Sequence, residues 1–435
     1  MNSMRASSAI LTAATLAACA PEPVIERAQV ERVVGTLAAD SMLGRRAFTP
    51  AADQAARFIR DQFSDIGLEK LDGLDDYLQR FSVYSLSVES ARVALNGRNV
   101  PPDRIATVLS TAALHWSTAD SVRVVTIGPR DNPMRSLGSV LRNNGNTLAL
   151  MHPTHQRLFD QLKSGPVAAS RRLELDGARN AVLLLTPEAE ARVYRVDVTA
   201  TVSREPLANV VGMIPGRRRD QIVLFSAHYD HVGVGQPVNG DSVFNGANDD
   251  ASGTTAVIEL ARYFRAKRQP ERTLVFAAFT AEEAGGFGSR YFSQQLDPDQ
   301  IVAMFNIEMI GKPSAQGPNH AWITGFDYSS FGEILQEAMA ETEYAFDPDP
   351  YPEENLFYRS DNATLARLGV PAHSISTTPI DVDQDYHQVA DEVSTLDLDH
   401  MTNTIRAIAR GAAAIVAGDA TPTRVDTTQV RRPSR

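Results

Sequence analysis

Residues 222–253, IVLFSAHYDHVGVGQPVNGDSVFNGANDDASG, constrain the fold more than any other stretch of this chain. Ile222, Val223, Leu224 and Phe225 form an unbroken apolar run, which suits a strand buried on both faces of a parallel sheet. Such a strand delivers His228 and Asp230 to its C-terminal end, where open α/β sheets place their ligands. A polar, glycine-containing loop follows, and Asn248-Asp249-Asp250-Ala251-Ser252-Gly253 then leads into a helix. Imidazole and carboxylate groups gathered at the mouth of a sheet point to a metal centre.

The same alternation continues on both sides of this stretch from Leu207 on. Strands are expected at 209–214, 222–226, 273–279, 301–307, 321–324 and 372–376. Helices are expected near 253–267, 286–295, 329–341, 360–368 and 396–416. This order predicts a mainly parallel sheet with helices on both faces. Upstream, 30–66 reads as helices, with Ala55, Phe58, Ile59 and Phe63 on one face and Gly67 as the stop. Between 85 and 200 the texture changes to short β-like runs at 124–127, 148–151 and 181–185, which predict a smaller, inserted α+β lobe. His152 and His155 in that lobe have Pro153 between them and no acidic partner nearby in sequence, so they are read as surface residues. The tail, 420–435, is polar and arginine-containing and is expected to be disordered.

At 435 residues the chain exceeds one average domain, in keeping with two compact units. A formal net charge of −11 leaves no basic surplus to neutralise phosphates, which argues against a nucleic-acid partner. No apolar run of about twenty residues is present, so no membrane-spanning helix is expected. The single cysteine excludes an internal disulfide framework, and its position is informative. Residues 1–18 combine Arg5 with an apolar, alanine-rich stretch, and Leu16-Ala17-Ala18-Cys19 resembles a bacterial lipobox. The resemblance implies a signal peptide over 1–18 and anchoring to a membrane through a lipidated Cys19. The expected location is the periplasmic side of a bacterial membrane, the outer membrane by preference, with ordinary secretion as the alternative.

The ends of the expected strands carry the chemistry. His228 and Asp230 follow the first, with Asp249 and Asp250 in the loop beyond. Glu282 and Glu283 follow strand 273–279, Glu308 follows strand 301–307, and His387 lies in a loop beyond the last strand. Strand ends in a parallel sheet face the same way, so these groups can converge although they are far apart in sequence. Two imidazoles and three or four carboxylates suit two divalent ions, because burying so many carboxylates without cations is costly. The mixed nitrogen and oxygen set suits zinc, and ligand type alone does not separate zinc from manganese or cobalt.

In their order, His-Tyr-Asp-His, Asn-Asp-Asp-Ala-Ser-Gly, Thr-Ala-Glu-Glu-Ala-Gly, Asn-Ile-Glu-Met-Ile-Gly and Tyr-His resemble the zinc aminopeptidases of the M28 metallopeptidase family. The resemblance spans about 207–418, and more weakly 30–81, where Ala-Asp-Ser-Met-Leu-Gly-Arg is similar to the family's N-terminal helices. It implies a three-layer α/β sandwich around a mixed, eight-stranded sheet of the zinc exopeptidase type. It also implies a peptidase domain over 201–419 whose N-terminal part is 19–84, and a lobe at 85–200 where many relatives carry a protease-associated domain. Position by position, Asp249 would bridge two Zn2+ ions, His228 and Glu308 would complete one site, and Glu283 and His387 the other. Asp230 would orient the His228 imidazole, and Glu282 would be the general base and acid. Glu308 departs from the family, which commonly has aspartate there.

Those roles imply a hydroxide between two cations that attacks a peptide carbonyl, with Glu282 passing the proton to the leaving amine. Tyr386 is read either as a donor to the tetrahedral oxyanion or as a packing tyrosine. Asp250 is expected to serve the turn, and His231 to be a surface residue or one behind the ligands. The leading expectation is a dizinc aminopeptidase acting on peptides. The alternatives are a glutaminyl-cyclase-like acyltransferase, a carboxypeptidase and a non-catalytic binding ectodomain of the same fold.

Overall fold

Eight strands cross the centre of the molecule: β1 (Leu78–Leu95), β2 (Tyr194–Ile214), β3 (Arg218–His228), β4 (Arg272–Phe279), β5 (Ile301–Ile307), β6 (His320–Ile323), β7 (Ala345–Pro348) and β8 (Ala372–Ser376). This computed structural model describes residues 23–141, 143–164 and 171–430, with 429 and 430 by backbone alone. The expected signal peptide and Cys19 therefore lie outside the described residues. The strands lie in the order β7-β6-β8-β5-β3-β4-β2-β1, and three short strands, Glu69–Lys70, Arg98–Val100 and Ala113–Ser117, extend them into one 11-stranded sheet. The centre is parallel: β3 pairs in parallel with β4 and β5, and β5 with β8. The flanks are antiparallel, at β2 on β4 and at β6 on β8, so the sheet is mixed but mainly parallel where the site lies.

The apolar run of β3 explains why it sits in the middle. Val223, Phe225 and Ala227 pack on one face against the helices Arg27–Leu37, Pro50–Ile66, Gly253–Arg265, Phe331–Met339 and Leu398–Gly411. Ile222 and Leu224 pack on the other face with Phe292 of Phe287–Phe292 and with Leu365 and Ala366 of Asn362–Ala366. Phe225 stacks on Phe276 and Phe305 with ring centroids 5.4 and 4.9 Å apart. Each such buried side chain contributes about 1.5–3 kcal/mol. Helices on both faces of the sheet make the three expected layers.

The lobe is tied to this sheet by its two longest strands. β1 and β2 stay paired from Leu78↔Val210 to Leu95↔Tyr194 and carry the chain out of the main sheet and back. At their far end a second, four-stranded sheet runs in the order Ile105–Val108, Ala181–Leu185, Thr147–Met151, Arg123–Ile127, with helices Pro133–Leu141 and Gln156–Ser164. The lobe's expected limits, 85 and 200, thus fall inside continuous strands. In the lobe His155 Nε2 meets the Gly128 carbonyl at 2.8 Å and His152 Nδ1 accepts from the Thr154 N–H at 3.2 Å, so both rings serve the local chain.

The expectation of a disordered tail from 420 on is corrected for 420–426. Val425 is buried beside Val370 and Ala372 under the sheet. Arg424 donates to the carbonyls of Pro298 and Ile301 at 3.0 Å, and Arg272 donates to the Ala420 carbonyl at 2.7 Å. One apolar side chain and bonds to main-chain carbonyls hold this segment, and neither shows in a mostly polar composition.

Within β8, His373 is fully buried, donates from Nδ1 to the Thr324 carbonyl at 2.8 Å, and meets Ser329 Oγ at Nε2 at 2.7 Å. Burial pushes its pKa down from 6.5 to about 4. The unfolded chain therefore binds a proton below pH 6.5 that the native protein refuses until about pH 4. The stability tied to the neutral ring is complete above pH 6.5 and is lost as pH falls towards 4. Up to about 3 kcal/mol of unfolding free energy should disappear across that window. Chemical denaturation at a series of pH values checks this: His373→Asn should be less stable at pH 7 and lose less on acidification.

Candidate metal centre

Because β3, β4, β5 and β8 run parallel, their C-terminal ends share one edge of the sheet. His228 is the last residue of β3, Glu282 and Glu283 follow β4, Glu308 follows β5, and His387 lies in the loop after β8. The chain turns sharply at three of these points. Ala281, Met309 and His387 have φ of 57°, 55° and 55°, a region that costs a non-glycine residue about 1–3 kcal/mol. Glycine is required where the loop after β3 closes. A Cβ on Gly246 would lie 2.3 Å from the Asp249 carbonyl and 2.5 Å from the His231 ring, and one on Gly253 would lie 2.1 Å from the Ile307 carbonyl.

The donors fall into two sets that share Asp249. His228 Nε2 lies 3.3 Å from Asp249 Oδ1 and 3.6 Å from Glu308 Oε1. His387 Nε2 lies 3.0 Å from Asp249 Oδ2 and 3.0 Å from Glu283 Oε1. Asp249 therefore turns one oxygen to each set. Within each set the donor atoms lie within 4.8 Å of one another, and the second set also includes His231. All five sequence-predicted ligands converge. His231 lies beside them: its side chain is fully buried, which corrects the surface half of its expectation and keeps the half that set it behind the ligands.

The residues present fit cations. His228 Nε2 and His387 Nε2 are buried without a hydrogen-bond partner among the described residues, although each faces carboxylate oxygens. Burial opposes the charged form of His228, but Asp249 and Glu308 outweigh it and hold its pKa well above the usual value. Contact with Asp249 and Glu283 raises His387 to about 10. Asp249 is the counterpart: burial would raise it, yet His228 and His387 hold it well below the ordinary range. The carboxylates thus favour a positive charge at His228 and His387, which a cation would supply in place of their protons.

Around the donors runs a shell of hydrogen bonds. Glu308 Oε2 accepts from Ser360 Oγ and from Asn306 Nδ2, leaving Oε1 to face His228. Asp250 accepts from the main chain of His228, Gly253 and Met309, as expected for a residue that serves the turn. Asp230 differs from expectation. The group beside His228 Nδ1 is the main-chain carbonyl of Asp230, at 3.1 Å, while its carboxylate Oδ1 lies 3.9 Å away and accepts from the Glu282 N–H at 3.0 Å. Asp230 thus positions the backbone of Glu282 as well as the ring of His228.

Three supporting residues escaped the sequence reading. Asp391 accepts from the N–H groups of Asn248 and Asp249 at 2.8 and 3.0 Å and fixes the bridging residue. Lys312 ties Asp383 and Asp385 beneath His387. Arg45, fully buried, donates to the carbonyls of Leu37, Tyr229, Asn245 and Gly246, closing both ends of the loop after β3 onto the N-terminal helices. Arg45 is the arginine of the Ala-Asp-Ser-Met-Leu-Gly-Arg segment, so a signal existed, but nothing in it specified four carbonyl partners.

Glu282 stands apart from the ligands. Its carboxylate makes no hydrogen bond or ion pair among the described residues, and it lines a cavity of about 360 Å³ with Trp322, Tyr351, Leu356 and Ile380. Burial, reinforced by the charges of Glu308, Asp361 and Glu283 against that of His228, raises its pKa well above the usual value. Tyr386 lines the same cavity, stacks on His387 at 4.0 Å and is partly exposed.

Known proteins resemble this chain in sequence and in fold. Residues 209–412 match peptidase family M28. Over 121 residues the chain is 36% identical to a probable zinc metalloprotease of Pyrenophora teres f. teres (strain 0-1), covering 26% of this chain and 25% of that protein. Over 205 residues it is 27% identical to leucine aminopeptidase 1 of Ajellomyces capsulatus (strain H88), covering 44% of this chain and 52% of that one. The chain thus spans between a quarter and about half of the length of these curated relatives. The solved structure of a zinc aminopeptidase from Bacillus subtilis aligns over 91% of this chain and 97% of its own, with a TM-score of 0.55 and 16% identity, a likeness of fold. Residues 209–412, which hold every donor of both sets, are thus a peptidase family M28 domain.

Proposed function

We propose that this protein is a metal-dependent exopeptidase, an aminopeptidase that removes N-terminal residues from peptides with two zinc ions at the Asp249 cluster. The observation that carries this reading is the shared carboxylate: one oxygen of Asp249 faces His228 and the other faces His387. His228, Asp249 and Glu308 would hold one ion, and Glu283, His387 and Asp249 the other. Bound divalent ions supply polarisation of the scissile carbonyl and a water whose pKa falls towards neutrality.

The protein's own residues do the rest. Glu282, unencumbered by protein partners, takes the proton of the attacking water and passes it to the departing amine. Asp230 holds the Glu282 main chain in place for that transfer. Tyr386, beside His387 on the cavity wall, is positioned to donate to the oxyanion that develops on the carbonyl. The 360 Å³ cavity is at the small end of ligand pockets and suits one terminal side chain against Trp322, Tyr351 and Ile380. The likeness to a curated leucine aminopeptidase supports an aminopeptidase over the cyclase, carboxypeptidase and non-catalytic readings. The completeness of both donor sets together with Glu282 supports it over the cyclase and non-catalytic readings.

A panel of aminoacyl chromophores and short peptides, each with a free or a blocked α-amine, tests the assignment. Free-amine substrates should turn over and their blocked counterparts should not. Equal turnover of both, or release from the C-terminus alone, would remove the aminopeptidase reading. We also propose that the enzyme acts outside the cytoplasm, anchored through Cys19; the support for this is the Leu16-Ala17-Ala18-Cys19 sequence.

A further inference from the structure

His231 is placed among the donors as an equal. Its Nδ1 lies 3.0 Å from Glu283 Oε1, the same oxygen that His387 Nε2 meets at 3.0 Å, and 3.8 Å from Asp249 Oδ2. Nδ1 thus faces the donor atoms of the second set, while Nε2 is buried without a partner among the described residues. On its far side the ring is walled by Gly246, where a Cβ would lie 2.5 Å from Cγ and Cδ2. What fixes the imidazole is the cluster itself.

We propose that His231 is a fourth protein ligand of the second site, through Nδ1, and that the two metal sites are therefore unlike. Four side-chain donors, His231, Asp249, Glu283 and His387, close a tetrahedral site; three donors, His228, Asp249 and Glu308, leave a position open. The competing role, in which His231 merely steers Glu283, needs the proton on Nδ1 and a hydrogen bond to one carboxylate. The ligand role needs Nδ1 bare and the proton on Nε2, and it accounts for the approach to two carboxylates of one set. The inference rests on reading this cluster as a metal centre, but not on the choice of substrate.

The test uses the full chain loaded with an NMR-active cadmium isotope and carrying nitrogen-labelled histidine. Three imidazole nitrogens, those of His228, His387 and His231, should be split by coupling to the metal, and His231→Ala should remove one. In zinc titrations of the metal-free protein, the tighter of two steps should weaken in His231→Ala by more than about 100-fold, beyond the roughly 10–100-fold cost of losing a supporting partner. His231→Gln, which can still donate to Glu283, should fail to restore it. Only two split nitrogens in the unaltered protein, or restored affinity in His231→Gln, would overturn the proposal while leaving the two-metal reading intact. Failure of the unaltered chain to take up any metal would overturn both, and because metal uptake is the readout, it is separable from failure of the peptidase assignment.

Discussion

Glu282→Gln is expected to lower kcat by about 10²–10⁴-fold, the range that a general acid–base group supplies, while metal content stays unchanged. The substitution keeps the side-chain shape and removes only the ability to take a proton. Glu282 suits that part because burial and the neighbouring carboxylates of Glu308, Asp361 and Glu283 raise its proton affinity, whereas the ligands Asp249 and Glu283 are held below their ordinary values. It belongs to neither donor set, so a neutral amide there should not empty a site. It also removes one buried charge from a crowded group, so the variant should be no less stable. Steady-state rates and metal analysis on the same preparation decide the point. Unchanged turnover would remove Glu282 as the base, and joint loss of metal and turnover would make it a ligand.

The parts of this centre that were legible in the sequence share a physical cause. A central parallel strand is buried on both faces, so it appears as a short apolar run, and polar residues begin where it emerges at the edge of the sheet. Ile222–Phe225 ahead of His228, and β4 and β5 ahead of Glu283 and Glu308, follow that rule. What was hidden has causes too. His231 is three residues beyond the end of β3, where no periodicity records which way a loop side chain turns, and its inward course depends on the space left by Gly246. Asp230 was expected to act through its carboxylate, but contacts His228 more closely through its main chain, which composition cannot express. β1 and the part of β2 ahead of the expected strand at 209–214 escaped notice because Thr199, Thr201 and Ser203 lie on a ribbon exposed outside the core, with no apolar run to mark it.

Asp249→Ala should do the greatest damage to the metal centre, weakening both binding steps by more than about 100-fold, beyond the usual effect of a supporting residue. Turnover should fall at least as far as in Glu282→Gln. The reason is geometric: one carboxylate serves both sets, Oδ1 beside His228 and Oδ2 beside His387, so no other single residue removes a donor from each. His228→Ala is the control, because it takes a donor from one set alone and should weaken a single step. The electrostatic side points the same way. Asp249 is the group that both raises His228 and helps raise His387, so its loss leaves two buried imidazoles with less reason to hold a charge and less opposing charge to offer a cation. Zinc titrations of the three proteins should therefore show two tight steps, one tight step for His228→Ala, and none for Asp249→Ala. An Asp249→Ala protein that kept one step at its original affinity would mean that the two donor sets do not share this carboxylate when loaded, and the bridged two-metal reading would fall with it.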